Sequence, residues 1–220
     1  MLLLWDIDGT LLLNAADAHA DAMQAAITET YGIAELPQGQ FELAGMTDPA
    51  IARRLLTLAG VDAKLIDDKL PEFFELAVRE YVERAPESLA DRINPGVDAV
   101  LDELTSAHDF ALVTGNLEPI ARIKLRAAGI GHHFASGQGG FGSDSEDRAE
   151  LPPIARRRAG DHPREDTVVI GDTPRDIACA RADGVRVIAI ATGPFAAGDL
   201  GHADVVVTRA SDLPGAIQSL

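Results

Sequence analysis

Cysteine is nearly absent from this chain. Cys179 stands alone among 220 residues, so an internal disulfide is excluded and a cross-linked secreted scaffold is not expected. Lying among alanines in a helical pattern, it reads as a small buried apolar residue rather than a nucleophile. Basic residues are also scarce, 19 against 35 acidic ones, which leaves a net charge of −16. A surface this negative repels phosphate backbones and anionic lipids, so neither nucleic acid nor membrane is an expected partner. Long apolar runs are missing too. Met1–Trp5 is apolar but stops at Asp6, too short for a signal segment and without a basic flank. No run approaches the ~20 apolar residues of a membrane span, and a cytoplasmic location is expected. No internal repeat or low-complexity segment occurs.

What remains is ordinary globular material, 46% hydrophobic and 25% charged, enough for one core plus a smaller appended unit. Five short apolar runs read as strands buried on both faces: 2–7, 110–113, 167–170, 185–191 and 204–207. Helical patterns follow the later runs. Residues 95–107 have Asn94 as N-cap and Pro95 in the first turn, and 117–128 stop at Gly129. Residues 148–159 stop at Gly160, and 174–182 stop before Gly184. This alternation predicts an α/β fold with a doubly wound parallel sheet. Residues 14–92 break it with helices only, at 15–31, 49–59 and 62–84. The expected division is therefore a catalytic core, 1–13 with 93–220, and an inserted all-helical cap, 14–92. Residues 136–147, rich in glycine, serine and acid, read as a loop.

In an open parallel sheet, ligands bind at the carboxyl ends of the strands. Here those ends read Asp6-Ile7-Asp8-Gly9-Thr10, Thr114-Gly115-Asn116 and Gly171-Asp172-Thr173-Pro174-Arg175-Asp176. Four carboxylates at one edge repel one another unless a cation compensates. A few hard oxygen ligands with room for water and phosphate suit magnesium, which would also give this acidic chain a local positive charge.

These three segments resemble three of the four motifs of the haloacid dehalogenase-like hydrolase superfamily, in order and spacing, over essentially the whole chain. The helical insert after the first motif resembles that superfamily's C1-type cap, and the whole resembles its phosphoglycolate phosphatase type. The resemblance implies Asp6 as nucleophile, forming an aspartyl-phosphate, and Asp8 as general acid and then base. It implies a Mg2+ ion held by Asp6, the backbone carbonyl of Asp8 and Asp172, with Asp176 supporting the site. It further implies Thr114 and a backbone N–H of Gly115 or Asn116 as phosphoryl ligands. The fourth motif, a phosphate-neutralising cation, falls on Arg148, although the usual lysine–proline pairing is absent; Lys124 is the competitor. Arg122, Arg126 and 156–158 read as a solvated helix face.

The reaction expected from the resemblance is hydrolysis of a small phosphorylated metabolite. Asp8 argues against a dehalogenase, and the cap lysines Lys64 and Lys69 sit in an acidic, exposed stretch unsuited to a phosphonatase Schiff base. A phosphomutase stays open, as does a receiver-like phosphate-sensing module, though receivers lack such a cap. His132 and His133 have no zinc-ligand spacing. His19 is expected at the surface, Thr47 or Asp48 as a helix N-cap, and Thr47 and Arg53 as specificity candidates. Substrate identity and oligomeric state are not readable.

Overall fold

The computed structural model describes residues 1–33, 35–37, 39 and 41–220. The first strand, β1 (Leu2–Trp5), shows how the sheet is built. Successive side chains of a strand point to opposite faces. Leu3 and Trp5 accordingly enter one apolar cluster, and Leu2 and Leu4 enter another. The same alternation splits β2 (Asp109–Thr114), β4 (Thr167–Gly171) and β5 (Arg186–Ile190) between the two clusters. Strands covered on both faces leave no room for polar alternation, which explains their continuous apolar runs.

Six parallel strands lie in the order β3-β2-β1-β4-β5-β6, with β3 at Gly140–Phe141 and β6 at Val205–Val207. One face is covered by α4 (Val97–Leu104), α5 (Glu118–Ala128) and α8 (Leu213–Gln218). The other face is covered by α6 (Leu151–Arg158) and α7 (Pro174–Asp183). The three motif-bearing strands β2, β1 and β4 are thus the adjacent central ones, and their carboxyl ends meet.

Between β1 and α4 come α1 (Asp17–Tyr31), α2 (Asp48–Leu58) and α3 (Ala63–Arg84). They bury a third apolar cluster around Ile27, Leu56, Ile66, Phe73 and Tyr81, joined to the core through Leu117 and Ile120 of the α5 region. The α/β fold with an inserted helical cap stands as expected. Among the described residues no helix is long and apolar enough to cross a membrane.

Three local readings are corrected. The segment read as a loop, 136–147, contains the short edge strand β3, paired through Val113↔Gly140 and Thr114↔Phe141. Asn94 is not the cap of α4; Gly96, at φ 88°, takes that place because only a left-handed turn leads from Pro95 into the helix. The Asn94 amide is used elsewhere, donating to the Thr10 carbonyl at 2.8 Å and to Thr192 Oγ1 at 3.0 Å. Residues 148–150 form a 3-10 turn before α6 proper begins.

Candidate active site

The ends of β1 and β4 deliver Asp6, Asp172 and Asp176, whose carboxylate oxygens lie within 4.8 Å of one another. All three side chains are buried. Asp176 holds its position through helix chemistry. Thr173 caps α7, and Asp176 Oδ2 accepts from the Thr173 N–H (3.0 Å) and hydroxyl (2.7 Å), a reciprocal capping box. Its other oxygen, Oδ1, takes Arg148 at 2.5 Å. Asp176 therefore serves as a helix-start residue and as a member of the acid cluster at once. Cys179 is buried on the same helix, its Sγ donating to the Asp176 carbonyl.

Arg148 Nη2 also donates to Asp6 Oδ1 at 2.9 Å, and Nη1 to the Gly45 carbonyl at 3.0 Å. The guanidinium thus ties the strand-end acids to the loop before α2. Three carboxyl groups face one guanidinium, which pairs with Asp6 and Asp176 and leaves Asp172 without a cationic partner. Burial pushes the Asp6 carboxyl up to about 7, with Arg148 opposing and Asp176 and Asp8 adding to the rise. Burial, then Asp176 and Asp6, push Asp172 up to about 9. Asp172 Oδ1 accepts from Thr10 at 3.2 Å, while its buried Oδ2 has no hydrogen-bond partner among the described residues. An orphaned acceptor and crowded carboxyl oxygens that resist ionisation without a compensating charge fit a hard divalent cation such as magnesium.

Gly9 shows how tightly this pocket is drawn. Its φ is 90°, and a Cβ there would run into the Asp172 carboxylate, so glycine is needed both for the turn and for the close approach.

Asp8 faces a different environment. Lys124 Nζ donates to both its oxygens, at 2.9 and 2.7 Å, and Asn116 Nδ2 donates to Oδ2 at 2.9 Å. Burial alone would raise this carboxyl, but Lys124, then His19, more than offset it and the net shift is downward. The Asp8 carboxylate lies outside the acid triad, and two oppositely tuned acids therefore sit on alternate residues of one strand end.

Both candidate cations are present at the site, on different acids: Arg148 on Asp6 and Asp176, Lys124 on Asp8. Lys124 is fully buried although it lies in a charged helical pattern. Its neighbours explain how. Nζ also meets His19 Nδ1 at 3.2 Å, and His19 Nε2 meets Asp48 Oδ2 at 3.0 Å. The surface expectation for His19 is therefore wrong; the ring is buried between a core lysine and a cap aspartate. Asp48 was missed as a site residue. Its Oδ2 also accepts the Leu117 N–H at 2.7 Å, so it satisfies an amide at the start of α5. The signal lay in its place beside an N-cap, but its partners are 29 and 69 residues away.

Thr114, Gly115 and Asn116 end β2 and line the same cavity as Asp6 and Asp8. The Asn116 N–H points to Thr114 Oγ1 at 3.4 Å. A Cβ on Gly115 would strike the Met46 carbonyl of the cap-side loop, which places cap and core in direct contact there. Thr47 caps α2 and donates to the Glu146 carbonyl at 2.8 Å. Arg53 is held by Glu146 (2.7 Å) and Asp67 (2.6 Å) and does not line this cavity.

The solvated reading of the arginines holds for Arg126, Arg157 and Arg158. Arg122 lies over the Phe141 ring at 5.3 Å and donates to the Phe134 and Gln138 carbonyls. Arg156 pairs with Asp183, and Arg158 with Asp144. His132 and His133 stack on each other near Asp102, remote from the cavity.

Comparison with known proteins agrees with this geometry. The model of the haloacid dehalogenase-like hydrolase family matches residues 3–181. A phosphoglycolate phosphatase of Chromobacterium violaceum is 29% identical over 214 residues, covering 95% of this chain and 92% of that protein. Among solved structures, β-phosphoglucomutase of Clostridium difficile superposes with a TM-score of 0.76 at 17% identity, covering 99% of this chain and 95% of the other. A predicted phosphatase of Clostridium acetobutylicum gives 0.72 at 16% identity, covering 100% and 98%. At these identities the two structures speak to the fold.

Proposed function

Because the chain belongs to the haloacid dehalogenase-like hydrolase family, we propose that it is a magnesium-dependent phosphatase acting on a small phosphomonoester. The observation that carries this reading is the convergence of Asp6, Asp172 and Asp176 within 4.8 Å, with Asp8 two residues from Asp6 in the opposite ionisation regime. The same proposal divides the chain into a catalytic core, 1–13 with 93–220, and a cap, 14–92.

In this reading an Asp6 oxygen bonds to phosphorus as the ester P–O bond breaks, its electron pair leaving with the alcohol oxygen. Asp8 gives that oxygen a proton. Water then attacks phosphorus, passes a proton to Asp8 and frees Asp6. Asp8 enters the first step carrying the proton it takes from water in the second, and Lys124 suits the second step by holding the carboxyl ionised once that proton has left. Thr114 and the Gly115 or Asn116 N–H are the proposed phosphoryl ligands. Arg148, anchored on Asp6 and Asp176, sets a positive charge beside the phosphorus position. Asp6, the Asp8 backbone carbonyl, Asp172 and Asp176 would hold the magnesium. When bound, that ion supplies the charge that lets a phosphate dianion approach an aspartate.

The test is phosphate release from p-nitrophenyl phosphate with and without magnesium, in wild type and Asp6→Asn. Loss on the order of 10⁴-fold is expected for a missing nucleophile. Undiminished turnover in that variant overturns the assignment.

A further inference from the structure

The cavity above the acid triad changes character away from the sheet. It encloses about 420 Å³, enough for a small ligand and its phosphate. Its floor is polar: Asp6, Asp8, Thr114, Gly115, Asn116 and Arg148. Its wall is Met23 and Ile27 of α1, Ile51 and Leu55 of α2, and Leu36 and Leu43 from the loop joining those helices. Each helix pair is spaced i, i+4, so two apolar helical stripes face the same space. Ile51 and Leu43 stay partly exposed, Ile51 while packing against the cap's own apolar cluster.

Equally telling is which charges line it. Among the described residues Arg148 is the only lysine or arginine there, and its guanidinium is shared by Asp6, Asp176 and the Gly45 carbonyl. His19 and Asp48 are bonded to each other. A carboxylate on the alcohol half of a substrate would find no cation on the wall and would approach Asp48. A sugar would exchange its water contacts for apolar side chains, with the Gln24 amide at the exposed mouth as a replacement. Burying polar groups without partners is unfavourable, whereas burying hydrocarbon is favourable.

We propose that the substrate of this site is a phosphomonoester of an apolar alcohol, its hydrocarbon part lying against Met23, Ile27, Leu36, Leu43, Ile51 and Leu55. The inference rests on the phosphatase reading above. It separates this chain from the glycolate and sugar chemistry for which its relatives are named.

The experiment measures kcat/KM with magnesium for ethyl, butyl and hexyl phosphate and for 2-phosphoglycolate. Burial of each added methylene is worth about fourfold, so the series should climb at least tenfold from ethyl to hexyl and hexyl phosphate should surpass 2-phosphoglycolate. A flat series, or 2-phosphoglycolate as the best of the four, overturns the apolar assignment while leaving the phosphatase reading intact. No phosphate release above the Asp6→Asn background from any of them sinks both. The double variant Leu43→Ser, Ile51→Ser, at two partly exposed positions, should flatten the chain-length dependence. An unchanged slope in the folded variant also overturns the assignment.

Discussion

The two ends of the cavity are built from opposite materials. At the sheet edge, Asp6, Asp172 and Asp176 are almost wholly buried, and one guanidinium serves Asp6 and Asp176. At the helical wall, the side chains of α1 and α2 that line the cavity are apolar apart from Gln24 and the mutually bonded His19 and Asp48. Apolar groups are stabilised by burial itself, so the wall needs nothing beyond packing. Buried carboxylates are destabilised by burial and persist only where a cation or a proton answers them. The edge is thus a place where the fold accepts strain, and the wall is where it recovers stability. The charge balance makes the same point on a larger scale. A net charge of −16 repels anions at long range, while the buried cations Arg148 and Lys124 stand locally beside Asp6 and Asp8.

The sharpest way to break this contrast is to remove the edge's internal cation. In Arg148→Met, Asp6 and Asp176 lose their shared partner, and breaking such a buried pair destabilises by about 3–5 kcal/mol. Urea unfolding without divalent ions should show that loss. Millimolar magnesium should restore much of it, because an ion that binds only the folded state stabilises it by mass action. Identical unfolding curves with and without magnesium, in both the variant and wild type, would remove the acid triad as a cation site.

The matching change in the helical wall's support is smaller and insensitive to the ion. Ile66→Val deletes one methylene from the fully buried cluster formed by the cap helices. Its effect should be about 0.5–1.5 kcal/mol. The difference from wild type should be the same with and without magnesium. A magnesium-dependent difference would mean that cap packing and the acid edge are energetically coupled, and the contrast between them would fail.

How much of this was legible beforehand follows the same divide. The strand ends were readable because a buried parallel strand must be continuously apolar and must stop where polar chemistry begins, as at Trp5–Asp6 and Gly171–Asp172. The helical insert was readable because no such run interrupts it. The edge strand Gly140–Phe141 was not, since two residues carry no periodicity and its neighbours are turn formers. His19 was misplaced for a more general reason. Its helix, Asp17–Tyr31, is alanine-rich and weakly patterned, so nothing local marks which face is buried. What buries it is Asp48, 29 residues on, and Lys124, 105 residues on. Asn94 failed similarly: beside Pro95 it has the chemistry of a cap, but tertiary partners at Thr10 and Thr192 claim its amide. Apolar pattern is written locally, and the pairing of buried polar groups is written only in the fold.

A carboxylate outside both regions sets the scale for the edge. Asp204 lies before β6, where Arg181 donates to both its oxygens at 2.9 Å and the Val187 N–H donates at 2.7 Å. Partial burial raises its carboxyl, but the Arg181 and Val187 hydrogen bonds outweigh that and the net shift is downward. A lowered folded value means stability that is fully present above the unfolded value, about 3.9, and is lost as pH falls through the folded one. Asp204→Asn should therefore be less stable than wild type by about 0.5–1 kcal/mol at neutral pH, discounted for the solvent that reaches the pair. The gap should narrow below about pH 4, as wild type takes up the proton. Unfolding curves collected from pH 7 down to 3 decide it. A gap that stays constant across that range would show that Asp204 acts through its backbone hydrogen bond rather than its charge. A gap as large as that of Arg148→Met would show that depth of burial is not what separates the edge from an ordinary ion pair.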